Sequence, residues 1–387
     1  IAFRSAIGVN PNDAMSYANL GVVYINQDDF ESAVKSFKQA LDIDNDLNSI
    51  RFDYAYVLQK TNRNPEAVEQ YKKFIEKYPD NVQAYIALVE LYEKTDNDIE
   101  AIDLLTQAIK NYPDNNVFKL TLARLHQNNS DFNDALKYYN DILSVDKTNL
   151  VAWYNVGIIN TAVGKYQEAQ QIYSNLLKVD EKELEKNKIF ISDIKKDLYE
   201  NQIKMAQNYL DVNEPKKAKA IFNKLLQEVD DDYRIYLGLA DSCFALKMNT
   251  YAKNFYEQAL DLDTQNPEIL ARYAHVLYEL KDYDLSLAIL DKLIDVNPQD
   301  DKSYYNKALI NYDKKEFNLA RIDLLNAIVI NSKNADSYYL LGMVYEALEK
   351  PKEAISAFEK FLENSTDETL KNKIESKTKA LYDGMKK

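Results

Sequence analysis

Apolar residues recur along this chain with the spacing of helices that bury one face. On a 34-residue frame starting at Ala14, positions 4, 7, 8 and 11 share one helical face, and positions 20, 24, 27 and 28 share another. Position 28 is aliphatic and position 24 is large and apolar in every repeat. A polar turn, such as NQDD at 26–29, separates the two apolar stretches. The pattern predicts a helical hairpin in each repeat.

The 34-residue frame is interrupted once. After five repeats it fails, and it resumes fifteen residues late, at Tyr199, for five more. Short side chains hold position 8 throughout: Gly21, Ala55, Val89, Ala123, Gly157, Ala206, Ala240, Ala274, Ala308 and Gly342. Small residues at positions 8 and 20 allow the two helices to approach closely, and each hairpin leaves an apolar face for the next one to cover. Hairpins are therefore expected over 14–182 and 199–368.

These columns resemble the tetratricopeptide repeat. In repeat five, Trp153, Gly157, Ala169 and Tyr173 match the signature columns of that family. The last repeat matches at Leu341, Gly342, Tyr345, Ala354 and Phe358. The resemblance covers nearly the whole chain and implies an all-α, right-handed superhelical solenoid of about ten helix-turn-helix repeats. Two departures are a Pro at position 32 in only three full repeats and the missing Leu-Gly pair of repeats two and four.

The two ends and the interruption have their own interpretations. Residues 1–13 fit the second helix of a truncated repeat, and 369–387 fit a C-terminal capping helix with a polar outer face. We therefore expect a fragment of a longer protein. Residues 183–198 either extend the first helix of repeat six or form a long loop that binds a ligand. The helical spacing of Ile191, Ile194 and Leu198 favours the extension.

Charge and composition narrow the range of partners and compartments. The chain carries 62 Asp and Glu against 48 Lys and Arg, a net charge of −14, so it lacks the basic footprint of a nucleic-acid binder. Its single cysteine excludes an internal disulfide framework. The sequence contains no run of eighteen apolar residues, so it predicts no membrane-spanning segment. The sequence does not decide between the cytoplasm and the periplasm. We expect that a membrane anchor or an export signal could precede Ile1. The sequence gives no indication of the oligomeric state.

Residues suited to catalysis or metal binding are scarce. Cys243 and His126 both hold position 11, where packed residues occur in other repeats, and His275 holds position 9 on a different face. There is no Gly-rich phosphate loop and no Cys or His cluster with zinc spacing. We expect no catalytic residues, no metal site and no cofactor, and hence a protein that is not an enzyme.

The family resemblance implies a concave groove lined by positions 2, 5, 9 and 12 of the first helices. Position 5 never holds Lys, so the carboxylate clamp of chaperone adaptors is missing, and Asn at position 6 is too scattered for a glycosyltransferase-type ladder. Acidic Asp241, Glu268, Asp336 and Glu346 flank the lining of repeats seven to ten. The candidate partner-binding residues are Leu237, Phe244, His275, Tyr278, Tyr305, Leu309, Tyr312, Tyr339 and Met343. The competing interpretation is that position 5 partly serves the core between repeats.

Three functions are compatible with this pattern. The first is a non-catalytic scaffold that binds protein or peptide segments in the groove and helps to assemble a larger complex. Family analogy points to bacterial envelope machines, including those of the flagellar motor type. The second is a regulatory or substrate-recruiting arm of an enzyme whose catalytic domain lies outside this sequence. The third, RNA binding by helical repeats, agrees least with the acidic charge.

Overall fold

Helical hairpins follow one another along the chain. The computed structural model describes residues 2–385, which form 23 α-helices, one 3₁₀ turn (Asn48–Ile50) and no strand. The first thirteen helices are α1 (Ala2–Val9), α2 (Ala14–Ile25), α3 (Phe30–Ile43), α4 (Arg51–Lys60), α5 (Asn64–Lys77), α6 (Val82–Lys94), α7 (Asp98–Asn111), α8 (Asn116–Asn128), α9 (Phe132–Val145), α10 (Leu150–Ala162), α11 (Tyr166–Leu176), α12 (Glu181–Lys186) and α13 (Ile191–Asp211).

The remaining helices continue the same alternation. They are α14 (Pro215–Leu225), α15 (Tyr233–Ala245), α16 (Asn249–Leu262), α17 (Pro267–Glu279), α18 (Tyr283–Val296), α19 (Asp301–Asp313), α20 (Phe317–Ile330), α21 (Ala335–Ala347), α22 (Pro351–Asn364) and α23 (Glu368–Met385). The all-α class built from helix-turn-helix units is confirmed. The chain divides into two compact units, the first ending at Leu198 and the second beginning at Tyr199.

The turn inside each hairpin has the same backbone conformation. Position 15 is left-handed, with φ between 54° and 80°, at Asp28, Asn62, Asp96, Ser130, Gly164, Asn213, Lys247, Lys281, Lys315 and Glu349. In the first repeat, the amide of Asp28 donates to the carbonyl of Ile25 and that of Asp29 to Tyr24. Half of these positions hold Ser, Lys or Glu, which do not favour this region as Gly, Asn and Asp do. The packing of the two helices therefore fixes the turn.

Most first helices begin at a capping side chain one residue before the frame. The cap accepts a hydrogen bond from the first turn of its helix at Asp13, Asn81, Asn115, Asn149, Asp232, Asn266, Asp300 and Asn334. Repeat two has Leu47 instead and starts with the 3₁₀ turn. Repeat six has none because Leu198 lies inside α13. The caps and the turns thus mark the 34-residue period independently of the apolar pattern.

Close contact between the paired helices depends on positions 8, 20 and 24. Every residue at position 20 is fully buried, from Ala33 to Ala354, including the one exception to alanine, Ser286. A Cβ atom built on Gly21 would lie 2.8 Å from the ring of Phe37 at position 24. A side chain on Gly342 would collide with the ring of Phe358 in the same way. The sequence columns are therefore contact points of the hairpin.

The interruption at 183–198 holds most of α12, a turn and the start of α13. Lys188 has a φ of 58°, and the amide of Ile189 donates to the carbonyl of Leu184, as in the hairpin turns. Leu184, Ile189 and Ile194 are buried in one cluster with Ala169, Tyr173 and Leu176. The segment forms a shortened hairpin, and its second helix continues as the 21-residue helix α13. α13 begins at Ile191, eight residues before the frame resumes at Tyr199. The role of the segment, as helix extension or as binding loop, stays a prediction.

The predicted terminal segments correspond to α1 and α23. α1 has no buried residue, whereas α23 buries Ile374 and Thr378. The outer ends of the two segments, Ile1, Lys386 and Lys387, lie outside the described residues. Whether these segments act as a truncated repeat and a solenoid cap stays a prediction.

Candidate functional site

The nine candidate binding residues lie on four first helices of the second unit, α15, α17, α19 and α21. We call the surface formed by positions 5, 9 and 12 of these helices the first-helix face. Leu237 is buried, with 9% exposure, and packs in the core cluster of repeats seven and eight. His275 is exposed, and the other seven side chains are half-buried. Of the nine, Leu237 thus fits the competing core interpretation.

Residues of repeats eight and nine meet around one small cavity. His275, Tyr278 and Leu309 line it together with Asn306, and its volume is about 140 Å³. Ala274, Leu290 and Ile310 supply apolar walls, and the Ser286 hydroxyl there already donates to the carbonyl of Ala274 at 2.7 Å. The ring of Phe244 meets the His275 ring edge-on, 5.3 Å between centroids. The cavity is therefore an apolar space with a polar mouth.

Tyr278 is held in place at the mouth of this cavity. Its hydroxyl donates a 2.8 Å hydrogen bond to Asp313 on α19, and its ring lies 5.9 Å from that of Tyr283. Burial and the Asp313 carboxylate raise the pKa of Tyr278 to about 12. The phenol is neutral at physiological pH, and its orientation is fixed before any partner binds.

The other aromatic candidates belong to two neighbouring clusters. Tyr305, Leu309 and Tyr312 pack around the core of repeats nine and ten, where the Tyr312 ring lies 5.6 Å from Phe317. Tyr339 and Met343 pack around the next core, with Tyr339 5.5 Å from Phe361. Burial, with the negative charge of Asp336, raises the pKa of Tyr305. These side chains are half-buried, so each packs against a core and keeps part of its surface exposed to solvent.

The acidic flank predicted for this face is largely engaged inside the protein. Asp241 accepts hydrogen bonds from Tyr256 and Arg272, and Arg272 also pairs with Glu268. Burial raises the pKa of Asp241 against the opposing effect of these partners. Glu346 forms a 2.6 Å salt bridge with Lys377. The face therefore offers less free negative charge than the sequence indicates.

A larger cavity lies in the first unit, at repeats two and three. It has a volume of about 680 Å³, and Phe52, Tyr56, Tyr71 and Ile86 line it. Charged side chains line it as well: Lys60, Glu90 and Lys94. None of the predicted binding residues lies at this cavity, because all of them belong to repeats seven to ten. The signal was present, because Phe52 and Ile86 hold position 5 and Tyr56 holds position 9.

The side chains considered for chemistry occupy packed surroundings. Cys243 is fully buried, and burial raises the pKa of its thiol. His126 stacks on Tyr138, 5.9 Å between ring centroids, and lies 3.5 Å from the Asp131 carboxylate. Among the described residues, no three His, Cys, Asp or Glu side chains are grouped to hold a metal ion. None of the described helices combines the length and hydrophobicity that a membrane crossing requires.

Family comparisons agree with this architecture. Models of the tetratricopeptide repeat match residues 14–47, 52–116, 248–309 and 335–367, which together make up half of the chain. The chain belongs to the tetratricopeptide repeat family. This membership supports a protein-interaction scaffold whose partners are proteins or peptides.

Individual tetratricopeptide repeat proteins are only distantly similar. Anaphase-promoting complex subunit CDC16 of Saccharomyces cerevisiae is 29% identical over an alignment of 97 residues, and the match covers 23% of this chain and 12% of that protein. The crystal structure of YrrB, described as a TPR protein with an unusual peptide-binding site, has 21% identity and a TM-score of 0.41 over 46% of this chain and 91% of its own.

Two further solved structures show the same distant likeness. The alignment with the anaphase-promoting complex hetero-tetramer Cut9–Hcn1 spans 94% of this chain and 76% of the matched chain, with 15% identity and a TM-score of 0.41. The alignment with MamA of Desulfovibrio magneticus RS-1 spans 44% of this chain and 96% of the MamA chain, with 20% identity and a TM-score of 0.41.

Proposed function

We propose that the protein is a scaffold whose second unit binds a segment of a partner protein across the first-helix face of repeats eight to ten. The observation that carries the proposal is the apolar cavity bounded by His275, Tyr278 and Leu309. A volume of about 140 Å³ suits one aliphatic or aromatic side chain of a partner. The polar atoms at its mouth then meet the partner backbone.

The surrounding aromatic edges support the same surface. Tyr305, Tyr312 and Tyr339 are each half-buried, so a partner that covers them loses little side-chain entropy on their account. Preordered aromatic anchors next to a pocket are typical of residues that dominate binding energy. We therefore assign the cavity and these tyrosines to one continuous contact surface.

We further propose that binding serves the assembly of a larger complex. The curated relative is, by its name, a subunit of a multi-subunit complex, although only 12% of its length is matched. A bacterial envelope machine of the flagellar-motor type is the complex that the family analogy suggests. The second candidate is a regulatory arm of an enzyme, for which the same face would recruit substrates or a catalytic domain.

Binding of retrieved partner proteins to two kinds of variant tests the proposed face. One variant blocks the cavity with a larger side chain, and the other shortens two side chains of the face. Asn306→Trp places an indole at the cavity mouth from an exposed position, so folding should be kept. Tyr312→Ala combined with Met343→Ala removes two apolar contacts of the same face. Proteins retrieved by the wild type from cells that make it are titrated against each variant. Binding should weaken at least about tenfold in both.

Controls separate a lost surface from a lost fold. Asn254→Trp adds the same indole at an exposed position of α16, away from the first helices, and should bind as the wild type does. Helical circular dichroism and a thermal melt of each variant report folding. If folded Asn306→Trp protein binds every retrieved partner normally, the proposal is refuted.

A further inference from the structure

The second helices carry outward-facing residues at positions 19, 22, 25 and 29. In nine of the ten repeats these positions are almost entirely polar, such as Glu66, Glu69, Lys72 and Glu76 in repeat two. Only four of the 36 residues concerned are apolar or aromatic: Ala220, Tyr251, Leu285 and Ala288. The polar pattern is what a solvent-facing surface of a helical repeat requires.

Repeat nine departs from the pattern at all four positions. Its helix α20 has Leu319, Ile322, Leu325 and Val329 there, and their exposed fractions are 49%, 48%, 39% and 84%. We call these four residues the α20 stripe. It runs for about 15 Å along one helical face. The two charged residues of α20 do not interrupt it, because Asp323 is buried and Arg321 is half-buried.

Acidic residues occupy the same outward positions in the neighbouring repeats. The second helices of repeats eight and ten hold, at these positions, five carboxylates and no Lys or Arg: Asp291, Asp295, Glu353, Glu359 and Glu363. Lys307 pairs with Asp291 and Lys360 with Glu363. Asp295 and Glu353 form no ion pair among the described residues. The α20 stripe is thus preceded and followed in the chain by second helices whose charged outward residues are all acidic.

We propose that the α20 stripe docks an amphipathic helix of a partner protein, with apolar residues on one face and Lys or Arg beside them. An exposed apolar row on one helix, with the spacing of helix–helix packing, fits a second helix laid along it. The acidic residues at the outward positions of the preceding and following second helices select a basic flank. A second copy of this chain fits poorly, since face-to-face contact would bring acidic helices together.

This surface is separate from the first-helix face, so the two proposals stand or fall independently. The stripe belongs to the second helix of repeat nine, whereas the proposed cavity is lined by residues of repeats eight and nine that include first-helix positions 9 and 12. A scaffold with both surfaces holds two partners at once, which is how a repeat protein brings subunits together.

Two synthetic helical peptides provide the probe. They share one apolar stripe and differ only in its flanks, which are Lys in one and Glu in the other. Fluorescence anisotropy titrations should show the Lys-flanked peptide binding at least about tenfold more tightly than the Glu-flanked one. Ile322→Gln with Val329→Gln should weaken the Lys-flanked peptide about tenfold or more without adding charge.

Matched variants decide the interpretation. Asn254→Gln, at position 22 of α16, should leave binding unchanged. Asp295→Lys with Glu353→Lys should reverse the preference toward the Glu-flanked peptide. Equal binding of both peptides, or binding indifferent to the Ile322 and Val329 changes in folded protein, overturns the proposal. A dimer in sedimentation velocity that the same Gln changes abolish would assign the stripe to a second copy and also overturn it.

Discussion

Gly342 carries the tightest contact between the two helices of the last repeat. A methyl group there would overlap the ring of Phe358, which is fully buried, so the ring or the helix would have to shift. We expect Gly342→Ala to destabilise the protein by roughly 1–3 kcal/mol, the usual cost of overpacking a core. A urea denaturation curve measures the change.

The matched control is Gly384→Ala on α23. Nothing lies within 4 Å of a Cβ atom built on Gly384, so alanine there should be neutral or slightly stabilising, as intrinsic helix propensity favours it. A loss of stability that is equal for the two substitutions would contradict the assigned contact.

Single residues also show how far the sequence predicts the candidate site. The columns at positions 8, 20 and 24 could be predicted because each is a packing contact repeated in every hairpin. The exposure of individual residues that share one position of the frame could not be predicted. Leu237 and Tyr305 both hold position 5, yet Leu237 is buried and Tyr305 half-buried. The pairing of Asp241 with Arg272 likewise depends on contacts between different repeats.

The element that interrupts the repeats, α12 with the start of α13, is part of a core. Ile194 is fully buried against repeat five. We expect Ile194→Ala to destabilise the first unit by about 2–5 kcal/mol, since truncation leaves a cavity. Phe190→Ala is the control, because Phe190 is 50% exposed, and its effect should stay below about 1 kcal/mol. Chemical unfolding of the full chain, followed by helical signal, compares the two.

The sequence located this interruption but did not predict its form. The fifteen-residue shift of the frame follows directly from the repeat columns. The turn at Lys188 cannot be read from the repeat columns, because lysine is not a residue whose presence indicates a left-handed backbone conformation. The α20 stripe is the reverse case. Its apolar letters are visible, but only the structure shows that no neighbouring helix covers them.

At the scale of the whole molecule, buried tyrosines make the fold sensitive to alkaline pH. Burial raises the pKa of Tyr173 and Tyr273, like that of Tyr278, to about 12. An unfolded tyrosine titrates near pH 10, so above that value the unfolded chain releases protons that the folded chain retains. The stability contributed by these groups is therefore complete below pH 10 and is lost as the pH rises toward about 12.

Absorbance of tyrosinate and helical circular dichroism, recorded together against pH, test this sensitivity. The tyrosinate signal of Tyr173, Tyr273 and Tyr278 should appear only as helicity is lost. Complete titration near pH 10 in a fully helical protein would mean that these rings are not buried.

The most direct test of the binding proposal is hydrogen–deuterium exchange of the protein alone and with a partner retrieved by it. This measurement reports every surface in one experiment, including the cavity of the first unit and the α20 stripe. With a partner on the first-helix face, exchange should slow in α17, α19 and α21 and stay unchanged in α4–α6. Slower exchange confined to the first unit, or to the second helices, would contradict the proposal for the first-helix face.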